Sequence, residues 1–337
     1  MLFKSLLQKV AVATVVVAGT MTVLSAHAAE KKELNFGIIS TESAQNLRAV
    51  WNPFLEAMEK KTGYKVNPFF APDYAGVIQA MRFGKVDLAW YGNKSAMEAV
   101  DRSGGEIFAQ TVDSDGNPGY WSLLVAHKDS PLNTVDDIKA NAKDLVFGNG
   151  DPNSTSGFLV PSYYVFAKND IQPKKAFKRV INANHQTNLM AAANKQVDFA
   201  TNNTENWRRL EITNPEAVSK LKILWKSPLI PADPMVWKKD LPESTKGKIY
   251  DFFMTYGATG DKQELAVLEA LQWAPFRASS NDQLVPIRQL VLFKKRVKIE
   301  QDSKLSDADK AEQLVAIDAQ LGELNRKMAA LKVLASN

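Results

Sequence analysis

Apolar runs and amphipathic stretches alternate along most of the chain. Leu34–Ile39 is a short buried strand by its apolar run, and Ser40–Ser43 offers caps to a helix gathering Leu47, Trp51, Phe54, Leu55 and Met58 on one face. Gly63 ends that helix. The spacing predicts a strand over 64–70, a helix carrying Val77, Ile78 and Met81 that stops at Gly84, a strand over 86–91, and a helix starting at Asn93–Ser95. Strands at 107–112 and 120–126 are joined by the turn cluster Asp113–Gly119. A helix capped by Thr134, a strand at 145–147, a helix holding Pro161, and a strand at 179–182 follow. Next come a helix capped by Thr187 and running to Asn194, a strand at 197–201, a helix from about Thr204 and a strand at 222–225. A proline-rich loop, Pro228–Pro234, leads to a strand starting at 235–238 and a mostly helical remainder. Alternation of strands and helices predicts parallel α/β sheets. The echo of Gly84-Lys-Val-Asp-Leu-Ala89 in Lys195-Gln-Val-Asp-Phe-Ala200 supports two of them.

The two ends of the chain differ from this pattern. Lys4 and Lys9 precede an apolar run from about Val10 to Leu24 and the small-x-small sequence Ala26-His27-Ala28, which reads as a secretory leader over 1–28, cleaved after Ala28. No other stretch approaches ~18 consecutive apolar residues. At the far end Leu314, Ile317, Leu321, Leu324, Met328 and Leu331 recur by threes and fours, with Ser306 as a cap. That stripe fits either a helix packed on its own domain or a homodimer formed through the C-terminal helix.

Composition narrows the chemistry. There is no cysteine, which excludes disulfides, a thiolate nucleophile, a zinc–thiolate site and a lipid at the leader's cut site. Beyond the leader only His127 and His185 remain, so no metal or other cofactor is expected. The net charge is +5, two of it in the leader, and charges of both signs are well mixed. That falls short of a nucleic-acid footprint.

The densest cluster of small and polar residues is Phe147-Gly-Asn-Gly-Asp-Pro-Asn-Ser-Thr-Ser-Gly157. An apolar run turns on Gly148, Gly150 and Pro152, then presents Ser154, Thr155 and Ser156 before a helix. Helix N-termini expose unpaired N–H groups and the positive end of the helix dipole. Hydroxyls there add directed donors, and small residues allow close approach, so the stretch reads as an anion cradle. It is built of neutral dipoles, because no Lys or Arg lies between Asp144 and Pro161. The plainer reading is that Ser154 or Thr155 is only an N-cap.

Other polar groups fall in strand-to-helix turns, where ligands of α/β folds collect. Tyr74 follows Ala71-Pro-Asp73, His185 follows a strand, and Tyr91 sits in another such turn. Tyr120 comes after the glycine-rich turn, Glu205 ends Thr201-Asn-Asn-Thr-Glu205, and Asp233 lies between Pro231 and Pro234. Each alone also fits an ordinary half-buried aromatic, a structural histidine or a solvated carboxylate. Together, hydroxyls for an anion and carboxylates for a cation describe a site for a small zwitterion.

With these residues assembled, the chain resembles the periplasmic phosphonate-binding proteins of ABC phosphonate importers over nearly all of its length past the leader. The resemblance rests on Asn35–Ser43, Phe70–Tyr74, Asp87–Gly92, Gly148–Gly157 and Ala200–Asn206. It implies a two-lobe periplasmic binding protein fold of the type II kind, with a ligand cleft between lobes and a C-terminal helical extension. The expected divisions are leader 1–28, first lobe 29–122, second lobe 123–232, a return to the first lobe over 233–295, and the extension 296–337. It further implies a periplasmic location, an ABC permease in the inner membrane as partner, and no catalysis. Tyr74, Ser154, Thr155, Ser156 and His185 would hold the phosphonate, and Tyr120, Glu205 and Asp233 the amino group of 2-aminoethylphosphonate. The rival readings are a binding protein for phosphate, phosphite or a sulfonate, and a hydrolase using Ser154 or Ser156 with His185 and Asp233. The absence of a Gly-x-Ser-x-Gly elbow and of a recognisable base spacing weighs against the hydrolase.

Overall fold

The structure is a computed structural model describing residues 32–336, so the expected leader at 1–28 lies outside the described residues. Two sheets organise it. The first has the order β13-β4-β12-β3-β1-β2. Its strands are β1 (Glu33–Ile38), β2 (Lys65–Phe70), β3 (Leu88–Trp90), β4 (Gly105–Asp113), β12 (Pro234–Lys238) and β13 (Trp273–Ala278). The second has the order β10-β6-β9-β7-β8. It is built from β6 (Ser122–His127), β7 (Val146–Asn149), β8 (Arg179–Asn182), β9 (Phe199–Asn203) and β10 (Leu221–Lys226). Helices α1 (Ala44–Thr62), α2 (Tyr74–Arg82) and α3 (Asn93–Arg102) belong to the first lobe. The second holds α4 (Val135–Ala140), α5 (Pro173–Ala176), α6 (His185–Ala193), α7 (Thr204–Thr213) and α8 (Pro215–Ser219). The remainder is α9 (Glu243–Thr255), α10 (Lys262–Ala270), α11 (Val285–Glu300) and α12 (Asp307–Ser336).

Contrary to the expectation of parallel sheets, both are mixed. Pairing is parallel within β2–β1–β3 and β8–β7–β9, and antiparallel for β12, β13, β6 and β10. Parallel neighbours need a helical crossover, whereas β6 and β12 are entered directly from segments that pass between the lobes. Those segments pair as a two-stranded ribbon, β5 (Gly119–Tyr120) with β11 (Ile230–Pro231). The strand expected over 120–126 is therefore split at Trp121 between this ribbon and the second sheet.

The sequence echo marks equivalent places. Asp87 Oδ2 accepts the Asn35 N–H of β1 at 2.8 Å, and Asp198 Oδ2 accepts the Val146 N–H of β7 at 2.6 Å. Each of these aspartates also donates its own N–H to the same partner's carbonyl, at 2.9 Å.

Aromatic packing fills both cores. Trp51 meets the rings of Phe36, Phe54, Trp90 and Trp273 at 5.3–5.9 Å between centroids. In the second lobe Phe147 stacks on Phe199 at 4.6 Å and contacts Phe166 and Phe177. Strand β13 interrupts the remainder expected to be helical; it holds Pro275, tolerated because β13 is an edge strand. The first half of the C-terminal stripe packs within the chain. Ile317 and Leu321 are buried with Ile299, and Leu314 lies half-buried among Leu292, Phe293 and Leu305 of the α11–α12 hairpin. The C-terminal half of α11 also reaches the second lobe, where Phe293 stacks on Tyr163 and Lys294 lies 5.0 Å over Phe158.

The interlobe ribbon leaves no room for a side chain at Gly119, where a Cβ would lie 2.0 Å from the Ile230 carbonyl oxygen. Gly119→Ala is expected to cost about 1–3 kcal/mol of stability through forced backbone displacement. Urea unfolding of variant and wild type checks this, and an unchanged midpoint would contradict it.

Candidate functional site

The eight residues singled out for ligand contact all line one cavity of about 60 Å3 between the lobes. Four helix N-termini converge on it. Tyr74 is the first residue of α2, Ser154 caps the helix opening at Thr155, His185 is the first residue of α6, and Glu205 is the second of α7. Their dipoles present partial positive charge to the cavity. Tyr120 arrives on β5, and Asp233 stands between β11 and β12. Capping places the start of α6 three residues earlier than expected: Asn184 Oδ1 accepts the Thr187 N–H at 2.8 Å, so Asn184 is the cap and Thr187 a donor. Asparagine is at least as good a cap as threonine, and it comes first.

The cradle opens an unusual helix that holds a proline. Residues 155–159 and 162–166 form π-helical turns, with bonds from Leu159 N to Ser154 O at 3.1 Å and from Val160 N to Thr155 O. Pro161 has no N–H to continue that ladder, and both carbonyls it would have served are met from outside. Ser122 Oγ donates to Ser156 O at 2.6 Å, and Gly150 N donates to Gly157 O at 3.0 Å. Gly150 is required there, because a Cβ would lie 2.4 Å from the Gly157 oxygen.

Each hydroxyl already accepts a bond from the protein, which leaves its own proton free to point elsewhere. Ser154 Oγ accepts the Gly157 N–H at 3.0 Å, Thr155 Oγ1 the Lys94 N–H at 2.8 Å, and Ser156 Oγ the Asn203 Nδ2–H at 3.0 Å. The N-cap reading of Ser154 thus holds alongside its place in the cavity wall. His185 Nε2 lies 3.4 Å from both Ser154 Oγ and Asn203 Nδ2. Burial pulls His185 down to about 4, so the imidazole is neutral near pH 7. The Tyr74 hydroxyl is pushed well up by burial, with Asp151 and Asp233 adding to it and Ser154 opposing. It stays protonated.

The opposite wall is acidic. Tyr120 Oη donates to Asp233 Oδ1 at 2.9 Å. Burial raises Asp233 well above the usual carboxylate range; Glu205 adds to this, while the Tyr120 bond opposes it. Glu205 is pushed up to about 7 by burial and by Asp113, with Arg208 and Arg209 opposing. Arg209 is the cationic side chain among the described lining residues, and it is committed to Glu42 at 2.9 Å. Arg208 is likewise held by Asp113, at 3.1 Å, and by Asp115.

The lobes meet directly around the cavity. Asp151 Oδ2 accepts the Tyr74 N–H at 3.2 Å, Ser43 N donates to Gln186 Oε1 at 3.0 Å, and Gln186 N donates to Thr41 O at 3.3 Å. The two arginine pairs and the Lys94–Thr155 bond complete the seam. Several wall residues had not been singled out, among them Trp51, Trp90, Trp273, Glu42, Asn206 and Arg209. Tyr91, by contrast, points away from the cavity and donates to Val77 O at 3.0 Å. Its neighbour Trp90 takes the cavity face, as strand alternation requires.

Comparison with known proteins bears on what such a cavity holds. Residues 36–284 match a family model described as the periplasmic substrate-binding protein of a phosphonate ABC transporter. The phosphonates-binding periplasmic protein of Escherichia coli K12 is 63% identical over 317 residues, covering 94% of this chain and 93% of that one. A binding-protein component of an ABC phosphonate transporter from Pseudomonas aeruginosa superposes with a TM-score of 0.88 at 58% identity, over 90% of this chain and 100% of that one. A Prochlorococcus marinus protein solved with methylphosphonate shares the fold, at TM-score 0.69 and 22% identity over 77% of this chain and 97% of that one. The fold is thus the two-lobe, type II binding-protein fold with a C-terminal helical extension.

Ser122 is fully buried, and its hydroxyl is the donor to the Ser156 carbonyl that Pro161 leaves unserved. Ser122→Ala is expected to destabilise the protein by about 1–3 kcal/mol, the cost of a buried acceptor left unmet. Chemical denaturation reads the change, and a loss below a few tenths of a kcal/mol would contradict this role for Ser122.

Proposed function

The chain belongs to the family of periplasmic phosphonate-binding components of ABC transporters, and we propose that its own ligand is 2-aminoethylphosphonate, held as a zwitterion between the lobes. The observation that carries this reading is the pair of buried carboxylates, Glu205 and Asp233, facing a neutral hydroxyl cradle in one cavity. In this assignment Ser154, Thr155, Ser156, Tyr74 and His185 donate to the phosphonate oxygens. Tyr120, Glu205 and Asp233 hold the ammonium group. Hydrogen bonds to a charged group contribute roughly 1.5–3 kcal/mol each, and several are made only when both lobes contact the ligand. Binding then favours the closed arrangement that the permease would recognise. The moving bodies in this reading are 29–122 with 233–295, and 123–232, with 296–337 as an extension.

Selectivity follows from desolvation. Phosphate, phosphite or a plain alkylphosphonate brings no cation, so closure over it leaves both carboxylates buried without a counter-charge. The release step also has a rationale, since among the described residues no Lys or Arg beyond the committed Arg209 lines the cavity.

Titration calorimetry with 2-aminoethylphosphonate, ethylphosphonate and phosphate tests the assignment. Wild type is expected to prefer the aminophosphonate by ~100-fold or more, and Glu205→Gln to lose most of that preference. Equal affinity of wild type for ethylphosphonate would overturn it.

Closure without ligand should also depend on pH. Glu205 lies near 7 in the closed arrangement and returns toward about 4.3 when parted lobes hydrate it. Between these values the closed form binds more protons, so falling pH favours closure and rising pH through about 7 opposes it. Small-angle scattering of ligand-free protein is expected to give a smaller radius of gyration at about pH 5.5 than at about pH 8, with Glu205→Gln narrowing the difference. A radius independent of pH would contradict the linkage.

A further inference from the structure

Helices commonly end on a residue in the left-handed region, and glycine is the usual occupant because it has no Cβ to clash. Four first-lobe helices follow that rule: α1, α2, α3 and α9 end on Gly63, Gly84, Gly104 and Gly257, with φ of +68 to +75°. Helix α10 does not. Gln272 follows its cap, Leu271, with φ +65°. The conformation is unfavourable for a residue with a side chain. Two other non-glycine residues among those described share it, Asp170 and Lys195, and both are exposed, whereas Gln272 is buried. A glutamine held there calls for a use of its side chain.

The contacts supply one. The Gln272 N–H donates to Glu269 O at 2.8 Å, which closes α10, and its carbonyl accepts the Ser114 N–H at 3.1 Å and Arg208 Nη2 at 3.3 Å. Its amide, in the orientation that pairs both ends, donates from Nε2 to Glu205 O at 3.1 Å and accepts the Arg209 N–H at Oε1 at 3.2 Å. Residues 205 and 209 are the two ends of one turn of α7. The amide therefore lies along the turn that carries Glu205 and grips it at both ends. A primary amide suits this, since it offers a donor and an acceptor at fixed spacing.

Resting on the lobe closure proposed above, we propose that Gln272 is a positioning residue, a first-lobe clasp that seats α7 of the second lobe, and Glu205 with it, each time the lobes close on a ligand. Gln272 stands just before β13 in the first lobe and α7 follows β9 in the second, so these bonds join bodies that part on opening. Opening leaves nothing stranded, because the amide returns to water and the Glu205 carbonyl and Arg209 N–H can bond each other within α7. Gln272 lines the cavity, but both ends of its amide are taken by α7. Its effect is thus on closure and is blind to the ligand's amino group.

Calorimetry and stopped-flow kinetics on Gln272→Gly and Gln272→Met test this with 2-aminoethylphosphonate and ethylphosphonate, alongside wild type. Glycine keeps the left-handed turn, methionine keeps the length, and neither has the amide. Both variants are expected to lose ~5-fold or more in affinity, by the same factor for the two ligands. The loss is expected in faster dissociation, with association changed by less than about twofold, because the clasp forms after the ligand has entered. Ligand-free Gln272→Gly is expected to melt within about 2 °C of wild type, since glycine suits the turn and the open form lacks the clasp. Wild-type affinity in Gln272→Met would overturn the proposal, because length alone would then suffice. A loss confined to the aminophosphonate, or a Gln272→Gly melting temperature lowered beyond that limit, would overturn it too. Small-angle scattering separates the two readings. If wild type contracts on binding and the variants bind as tightly as it does, this inference alone fails. If wild type keeps one radius of gyration with and without either ligand, the closure reading fails and takes this inference with it.

Discussion

Two carboxylates buried in one cavity, with the nearest arginines committed elsewhere, set the terms for the rest of this molecule. Burying a charge is costly unless a partner arrives. Glu205 and Asp233 are brought together only when the lobes meet, since one stands on α7 of the second lobe and the other beside the interlobe ribbon. Arg208 and Arg209 follow Glu205 on α7, yet both reach across the seam to Asp113, Asp115 and Glu42. They hold the lobes together and moderate the charge on Glu205 without neutralising the cavity. In the proposed reading the closed arrangement is therefore left with a demand for a cation.

The proposed anion end solves the opposite problem with neutral groups. Helix N-termini and three hydroxyls supply directed donors, and each hydroxyl is oriented because its oxygen is already occupied. Pro161 follows the π-helical turn that carries these hydroxyls, with Ser122 and Gly150 serving the carbonyls the proline cannot. Thr155 takes its bond from the start of α3, so the cradle is itself part of the seam. In the proposed reading, recognition and closure are made by the same atoms.

Much of this was legible in the chain. Apolar runs ending in glycine or polar turns located β1–β3 and β7–β9, and the Val-Asp echo named the two aspartates that tie equivalent strands. The cradle and the polar turn residues were found from residue type and from the motifs shared with phosphonate-binding proteins. Strand direction was not legible, because whether β12 runs parallel depends on where the chain re-enters a lobe, and no local pattern records that. The choice of Trp90 over Tyr91 for the cavity depends on which face of β3 the helices cover. The Glu42–Arg209 pair joins residues 167 positions apart with no shared signal, and Asn206 is one of three asparagines in its motif, with nothing local to mark it as part of the wall.

The most direct measurement is the number of protons released on binding at about pH 6, by calorimetry in buffers of different ionisation enthalpy. If the buried carboxylates are the ammonium site, 2-aminoethylphosphonate must displace the protons that burial favours. The expected result is release of on the order of one proton more with 2-aminoethylphosphonate than with ethylphosphonate, and loss of that difference in Glu205→Gln. The same proton count for both ligands in the wild-type protein would contradict the account, because the carboxylates would then be indifferent to the cation.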